Sequence, residues 1–348
     1  MKLWKKICLK GIAFALIFLT LLSGVQEVLR YKGENAEDMG ARYESLRAQA
    51  EAGMEIDVLY LGSSPIYAAV SPMVMWEKYG YTGMNLGTST QNVMSLYYSL
   101  LDVLEYTQPR VIVMGFRDLT ETRMADDMEC YYSYRKAIDT IQSPRVKRQL
   151  LADVVKTTGS LEHIFTISRF HERWDSLTAE DFDHGEVYYR PYTRGALMNE
   201  ALMEVTLEGV YDETVVPAQY SAFSLEYYQK ILSLCEERNI QIVGLTPPTV
   251  KIGEHMAYCM AVSRFCSENN IPCLDFNDPE LQTQMNLDFS TDFYDREHLN
   301  VSGSLKLSAY LADRLAEICD LPDHREDPVY ASWNDDLAVF REKYMGQA

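Results

Sequence analysis

The sequence predicts an α/β fold: a three-layer domain on a mostly parallel, five-stranded sheet, with a transmembrane helix at the N-terminus. Five short apolar runs have the length and the continuous hydrophobicity of buried parallel strands. Amphipathic helical patterns separate most of them, which implies right-handed crossovers and helices on both faces of the sheet. A basic stretch and a long apolar run open the chain.

The N-terminal segment has the composition of a membrane-targeting signal. Four lysines up to Lys10 precede the apolar run Gly11–Val25, which is about 22 Å long as a helix. Adding Ile7–Leu9, with Lys10 snorkelling, extends it towards a full span. No small-residue cleavage site follows, so we favour an uncleaved anchor over a cleaved signal peptide. Residues 1–32 would then be a cytoplasmic stub and single-pass membrane anchor, with the remainder extracytoplasmic.

The charge distribution excludes one class of function. The net charge of the 348 residues is −19, and the +5 carried by residues 1–32 leaves −24 on the remainder. Such a body repels phosphate backbones, so we expect no nucleic-acid partner.

Strands and helices are expected to alternate through the body of the chain. The helices are predicted around Val93–Leu104, Leu225–Cys235, Tyr258–Cys266 and Leu307–Ile318. The predicted strands are Ile56–Gly62, Gly83–Gly87, Val111–Phe116, Ile240–Thr246 and Pro272–Phe276. We therefore place the α/β domain at residues 55–320, after a polar stalk or helix at 33–54 and before an acidic, peripheral C-terminal tail at 321–348.

The connection between the third and fourth strands is too long for a loop. It predicts an inserted cap over about residues 119–222, helical in its first part and rich in tyrosine over 188–228. These tyrosines could line a sugar-binding cleft, because the amphipathic ring both stacks and donates hydrogen bonds. An aromatic core is the interpretation we favour.

Two distant motifs together suggest nucleophilic chemistry. Ser64 follows the first strand in Leu61-Gly62-Ser63-Ser64-Pro65, and ligands of open parallel sheets bind at the carboxyl ends of strands. Asp295 and His298 lie in the last loop before the closing helix, where an imidazole base and its orienting carboxylate would be needed. Each motif alone also fits a tight turn or an acidic surface loop. Their combination is more informative.

At these residues the chain resembles the SGNH/GDSL hydrolase superfamily, over roughly 55–118 and 225–318. The resemblance implies a flavodoxin-like sandwich with Ser64 as nucleophile and Ser63 in place of the usual aspartate. It further implies that His298 is the general base and that Asp295 orients it.

The oxyanion donors follow from the same resemblance. Asn85–Thr90 occupies the second motif, so the amides of Ser64, Gly87 or Thr90 are the expected donors. The third motif departs from the family, because Arg117 stands where an asparagine is usual. Losing one such donor costs about 2.7–4 kcal/mol of barrier stabilisation. Arg117 could substitute for it, or could equally form a salt bridge with an acidic neighbour.

The same substitutions, together with an N-terminal anchor, resemble the extracytoplasmic branch that includes the teichoic acid D-alanyl transfer protein and alginate-type O-acetyltransferases. This resemblance implies a serine esterase or O-acyltransferase acting on a cell-surface glycan or cell-wall polymer, with a membrane acyltransferase as a conceivable partner. The charge of the body favours a neutral glycan or a small acyl donor. The alternative is a catalytically weak scaffold that binds glycan or assembles with membrane acyltransfer partners.

Other sequence features predict neither a cofactor nor a metal site. The metalloprotease, EF-hand, dinucleotide and P-loop motifs are missing from the sequence. The seven cysteines form no C-x-x-C pair and are expected to be small core residues. Of the remaining histidines, His255 alone is expected near the fourth strand's end, where a surface helix position is the more common role.

Overall fold

The structure is a computed structural model that describes residues 2–29, 39–120, 128–164, 171–182 and 191–346. The chain divides into two compact units. The first comprises residues 1–38 and 151–188, and the second comprises residues 39–150 and 189–348. Residues 30–38, which comprise the end of the predicted anchor and the start of the predicted stalk, lie outside the described residues. So do parts of the predicted cap, at 121–127, 165–170 and 183–190.

The first unit contains helix α1, Lys2–Leu29. Its 23-residue stretch Trp4–Gln26 is long and apolar enough to cross a membrane, and none of it is buried. At 1.5 Å per residue it measures about 35 Å, against about 30 Å of bilayer hydrocarbon. A membrane anchor and a signal sequence both contain such a helix.

A buried ion pair holds the C-terminal end of α1. The Arg173 guanidinium donates to the Leu29 carbonyl at 2.9 Å and to the Asp181 carboxylate at 2.5 Å. The last carbonyls of a helix lack intrahelical donors, and a cation there also opposes the helix dipole. Arg173 therefore stabilises the end of the apolar helix within this unit.

The second unit is built on a five-stranded sheet whose described pairings are all parallel. The order β2-β1-β3-β4-β5 is that of a flavodoxin-like fold. The register places Val58 beside both Gly83 and Val111. The strands are β1 Val58–Leu61, β2 Gly83–Asn85, β3 Val111–Met114, β4 Gln241–Thr246 and β5 Cys273–Asp275. All five predicted strands are confirmed, and with them the fold class.

Helices cover both faces of this sheet. Their bounds are α2 Met39–Glu51, α3 Ser64–Ala69, α4 Pro72–Tyr79, α5 Val93–Val103, α6 Met128–Thr140, α8 Ala222–Glu237, α9 Ile252–Glu268, α10 Pro279–Gln284, α11 Val301–Ile318 and α12 Ala331–Phe340. Helix α7, Pro144–Thr158, contains residues of both units. Helices α11 and α12 pack on α4, and α5 packs on α8. The four predicted helices correspond to α5, α8, α9 and α11.

Two polar segments that the sequence places outside the domain pack onto it. Tyr43 and Leu46 of α2 are fully buried, and so are Trp333 and Phe340 near the C-terminus. The Trp333 ring lies 5.1 Å from that of Trp76 on α4. Polar composition predicted a stalk and a peripheral tail, but a few apolar residues on one helix face suffice for docking. The domain boundaries stay predictions.

The described residues 191–221 of the predicted cap run over the edge of the sheet where the strands end. Leu197 donates its amide to Tyr67 on α3, and Met203 donates to Phe293 near the end of the chain. Beside β2, the Asn85 amide donates to the Arg194 carbonyl at 2.9 Å. These backbone bonds hold the segment above the carboxyl ends of the strands.

Two buried tyrosines of the predicted tyrosine-rich segment lie on α8. Tyr227 and Tyr228 are buried, and the Tyr228 ring lies 5.1 Å from Phe116. Residues 188 and 189 lie outside the described residues. At α8 the aromatic-core interpretation agrees with the burial.

Candidate active site

Ser64 is the first residue of α3 and directly follows the turn after β1. The turn requires glycine at position 62, where φ is +147° and an added Cβ would lie 2.7 Å from Ile66. Pro65 follows in the first turn of the helix, where the missing amide hydrogen costs nothing because that amide would have no intrahelical acceptor. The Ser64 side chain is thereby held at the carboxyl edge of the sheet, with the residue 8% exposed.

Asp295 and His298 are joined by a tight local turn. The Asp295 carboxylate accepts the backbone amides of Glu297 and His298 at 2.7 and 2.9 Å. The same carboxylate lies 2.8 Å from His298 Nδ1. The spacing of three residues therefore both forms the turn and orients the ring.

The structure brings these two parts of the chain together. His298 Nε2 lies 2.8 Å from Ser64 Oγ, across 234 residues of sequence. With Asp295 accepting from the Nδ1 proton, Nε2 is the acceptor nitrogen and the hydroxyl can donate to it. The hydroxyl, the imidazole and the carboxylate form one continuous hydrogen-bond chain.

The loop that carries His298 is braced on both sides. The Tyr294 ring stacks on the imidazole at 5.4 Å and 8° between planes, and the Tyr294 amide donates to the His298 carbonyl. Asp292, fully buried, pairs with Lys306 of α11 at 2.8 Å. Sequence reasoning missed Tyr294, although an aromatic residue four positions before a candidate base was a usable signal.

The predicted oxyanion donors differ in their availability. The Ser64 amide is the first of α3 and has no intrahelical acceptor. The Gly87 amide instead donates to Asn85 Oδ1 at 3.0 Å. Its role as an oxyanion donor stays a prediction and requires that this bond be given up or shared. Asn85 is buried and its Nδ2 donates to Val70 O and Ile66 O, so its oxygen is left facing Gly87.

Thr90 and Arg117 lie in the turns after β2 and β3. Thr90 has a left-handed φ of +53°, unusual for a β-branched residue. Next to it, the Ser89 hydroxyl accepts from Lys136 Nζ at 2.5 Å. Arg117 starts a short 3₁₀ turn and is half-buried.

The charge of Arg117 acts on the carboxylate of Glu297. Both roles expected for Arg117, a salt bridge and an oxyanion donor, stay predictions. Burial acts to raise the pKa of Glu297, but the Lys251 ammonium at 2.5 Å, aided by Arg117, leaves that pKa below its ordinary value. The site therefore holds two cations around one carboxylate. This favours stabilisation of negative charge.

A cavity of about 240 Å³ lies beside Ser64 at the carboxyl ends of β1, β3 and β4. Ser63, Pro65 and Glu297 line it, so its wall includes the chain neighbours of Ser64 and His298 but not those two residues. Its other lining residues are Ile66, Gly115, Phe116, Arg117, Thr120, Leu245, Thr246, Pro247, Thr249, His255, Tyr258, Cys259 and Asn277.

Two further residues lie near the site. His255, which the sequence places near the end of the fourth strand with a surface helix position as the alternative, lies in the cavity wall, where burial lowers its pKa. Arg42 of α2 donates to the Gly87 carbonyl at 2.7 Å and so fixes the turn after β2. The polar composition of residues 33–54 gave no signal for this contact.

Comparison with known proteins adds a distant structural likeness. No protein-family model and no curated protein matches the chain. A GDSL-like lipase from Bacteroides thetaiotaomicron superposes with a TM-score of 0.39 and 10% sequence identity, over 80% of this chain and 98% of the lipase. The assignment of the site therefore depends on its own geometry.

Proposed function

We propose that this protein is a membrane-anchored, extracytoplasmic serine esterase or O-acyltransferase that acts on acyl groups of a cell-surface glycan or cell-wall polymer. The observation that carries the proposal is the hydrogen-bond chain Ser64–His298–Asp295, with both links at 2.8 Å. A hydroxyl becomes a nucleophile when a base accepts its proton and a third group fixes the base.

The reaction has two halves. Ser64 Oγ attacks the ester carbonyl while His298 Nε2 takes the hydroxyl proton. The tetrahedral intermediate collapses, the bond to the leaving alkoxide breaks, and His298 returns the proton to that oxygen. The acyl group then remains as an ester on Ser64. In the second half the acceptor oxygen attacks the acyl carbonyl while His298 takes the acceptor's proton. The acyl–serine bond then breaks, the acyl group stays on the acceptor, and His298 returns the proton to Ser64 Oγ.

The intermediate's negative oxygen needs donors. The Ser64 amide is the first, and Arg117 or the Thr90 amide would supply the second. The Gly87 amide already donates to Asn85, and arginine stands where an asparagine donor is usual. Arg117 would therefore supply more of the oxyanion stabilisation. A fixed cation there would favour charge that develops in the transition state.

The identity of the acceptor separates an esterase from a transferase. Water gives hydrolysis, and a glycan hydroxyl gives transfer. The net charge of −24 outside the first 32 residues favours a neutral glycan or a small acyl donor over an anionic polymer. No cofactor or metal is required for either outcome.

A fluorophosphonate probe tests the proposal. We expect covalent labelling of the full-length protein in detergent, and its loss in Ser64→Ala. Ser233→Ala, an exposed serine on α8, is the matched control and should label fully. Labelling that persists in Ser64→Ala would contradict the assignment of the nucleophile.

A second candidate is a scaffold that binds glycan or a membrane acyltransferase without turnover. It is favoured by the occupied Gly87 amide and by arginine in place of asparagine at position 117. The same probe separates the candidates. An intact protein that is never labelled supports the scaffold.

A further inference from the structure

The cavity beside Ser64 combines apolar and polar walls. Ile66, Phe116, Leu245 and Pro247 supply the apolar part of the wall. His255 and Tyr258 supply a polar part of the wall. They lie three residues apart in the first two turns of α9. A ligand that fits both parts has an apolar stem and a hydrogen-bonding group.

The two polar side chains on α9 have hydrogen-bonding capacity to spare. Neither the His255 ring nitrogens nor the Tyr258 hydroxyl has a hydrogen-bond partner within the part of the chain that the structure describes. Their rings meet edge to face at 6.4 Å. Burial lowers the pKa of His255 and raises that of Tyr258, so both are neutral near pH 7.

The charges around them largely compensate one another. Glu297 is paired with Lys251 at 2.5 Å, and the Arg117 charge helps to keep the pKa of that carboxylate below its ordinary value. Glu254, next to His255, is exposed. In the same wall the Thr246 hydroxyl is buried without a hydrogen-bond partner among the described residues. The imidazole and the phenol can each donate and accept. Such a pair matches an uncharged hydroxyl.

The volume limits the length of the ligand. At about 240 Å³, the cavity is below the range of about 300–1,000 Å³ in which drug-sized ligands bind. A pocket of this size suits an acyl group of a few carbons better than a long fatty chain.

We propose that this cavity is the acyl-group pocket and that it selects a short acyl group bearing a hydroxyl, which His255 and Tyr258 recognise. This inference rests on the proposed function, because it takes Ser64 as the acyl acceptor. A pocket with polar groups left unpaired discriminates against an analogue that lacks the matching group.

The test compares p-nitrophenyl esters that differ only in the acyl group: butanoate, 3-hydroxybutanoate, the succinate half-ester and octanoate. We expect kcat/KM for 3-hydroxybutanoate to exceed that for butanoate by about tenfold. This assumes about threefold from each of two neutral hydrogen bonds, near the lower end of the range of about 2- to 13-fold for one such bond. Tyr258→Phe should reduce that ratio to about threefold, and His255→Leu should do the same.

The matched control is Tyr310→Phe, which removes a phenol that hydrogen-bonds Gln284 on the surface. Its selectivity ratio should equal that of the wild type. Ser64-dependent hydrolysis with no preference for the hydroxyacyl ester would overturn the inference and leave the proposed function standing. A preference for the succinate ester would also overturn the inference, because the pocket would then select a charged group. A preference for the octanoate ester would overturn it because the pocket would then select a long chain.

A binding measurement decides the case in which no ester is hydrolysed. Calorimetric titration of Ser64→Ala with methyl 3-hydroxybutanoate and methyl butanoate reports on the pocket without turnover. Tighter binding of the hydroxy ester, lost when Tyr258→Phe is added, supports the pocket while the reaction itself fails. Equal binding, or none, overturns the pocket as well.

Discussion

Two histidines in the second unit have closely similar surroundings at opposite edges of the sheet. At the carboxyl edge, His298 pairs with Asp295 at 2.8 Å and stacks on Tyr294 at 5.4 Å. At the amino edge, His324 pairs with Asp57 at 3.0 Å and stacks on Tyr330 at 4.4 Å.

The two arrangements differ in what surrounds the pair. His298 has the Ser64 hydroxyl on its second nitrogen. For His324 no second hydrogen-bond partner of the ring occurs among the described residues. Its carboxylate, Asp57, is instead fully buried and accepts the amide and hydroxyl of Thr82 at 2.9 and 2.8 Å. One pair faces a nucleophile, and the other fastens the C-terminal segment to β1 and β2.

An aspartate–histidine pair therefore carries no function by itself. A hydroxyl on the free nitrogen makes it a candidate base, while burial and backbone donors make it a structural tie. Substitutions at equivalent members of the two pairs should therefore separate activity from stability.

The largest effect is expected at the two histidines. His298→Gln should lower kcat/KM towards an ester by about 10⁴- to 10⁶-fold, as loss of a general base does in serine enzymes, with little change in urea midpoint. His324→Gln should leave kcat/KM nearly unchanged and lower the free energy of unfolding by about 1–3 kcal/mol. Equal loss of activity in both variants would erase the distinction.

The two aspartates should follow the same division with a smaller catalytic effect. Asp295→Asn leaves the turn intact but disfavours the productive tautomer, so we expect kcat/KM to fall about 10³- to 10⁴-fold. Asp57→Asn should retain activity. Steady-state kinetics of both purified variants check this, and unchanged activity in Asp295→Asn would remove that residue from the mechanism.

Asp57 should also give a distinct pH dependence of stability. Burial raises its folded pKa above the ordinary 3.8, despite the opposing Thr82 hydrogen bonds and His324. As pH rises, Asp57 therefore stays protonated to a higher pH in the native state than in the unfolded state. Its contribution to the free energy of unfolding is present below about pH 3.8 and falls as pH rises through the folded pKa.

The measurement is urea unfolding of the wild type and Asp57→Asn between pH 3.5 and 7. As pH rises over that window, the free energy of unfolding of the wild type should fall relative to that of Asp57→Asn. A shift towards the wild type would mean that the folded pKa is lowered and that the His324 pair dominates.

The smallest effect is expected at the stacked tyrosines. Tyr294→Leu should reduce kcat about 2- to 10-fold with KM unchanged, because a stacked aromatic pair contributes about 0.5–1.5 kcal/mol. Tyr330→Leu should leave kcat unaltered and reduce thermal stability. A rise in KM alone for Tyr294→Leu would indicate contact with substrate rather than positioning of His298.

The same contrast explains what could be predicted from sequence. Asp295 and His298 are three residues apart, and Ser64 directly follows an apolar strand, so local spacing and sheet topology were enough to predict their meeting. Asp57 and His324 are 267 residues apart, and nothing in either neighbourhood signals the other.

The remaining details of the site depend on contacts that have no local signature. The use of the Gly87 amide by Asn85 depends on where the Asn85 side chain finds its other partners. Arg42 reaches the same turn from a helix whose composition resembles a stalk. The cavity is assembled from loops after several strands. Ser63, Pro65 and Arg117 belong to recognisable motifs, but Leu245 and Tyr258 in the same wall do not.

The segment beside β2 has a consequence for the behaviour of the protein in concentrated solution. Gly195, with φ +87°, lies so close to the Asn85 carbonyl that a Cβ could not fit, and Arg194 is held by Asp336 at 2.6 Å. An exposed strand edge is a template for intermolecular pairing. With its Asn85 amide already bonded and the approach blocked, this edge resists recruitment of a second molecule's strand and hence self-association into aggregates.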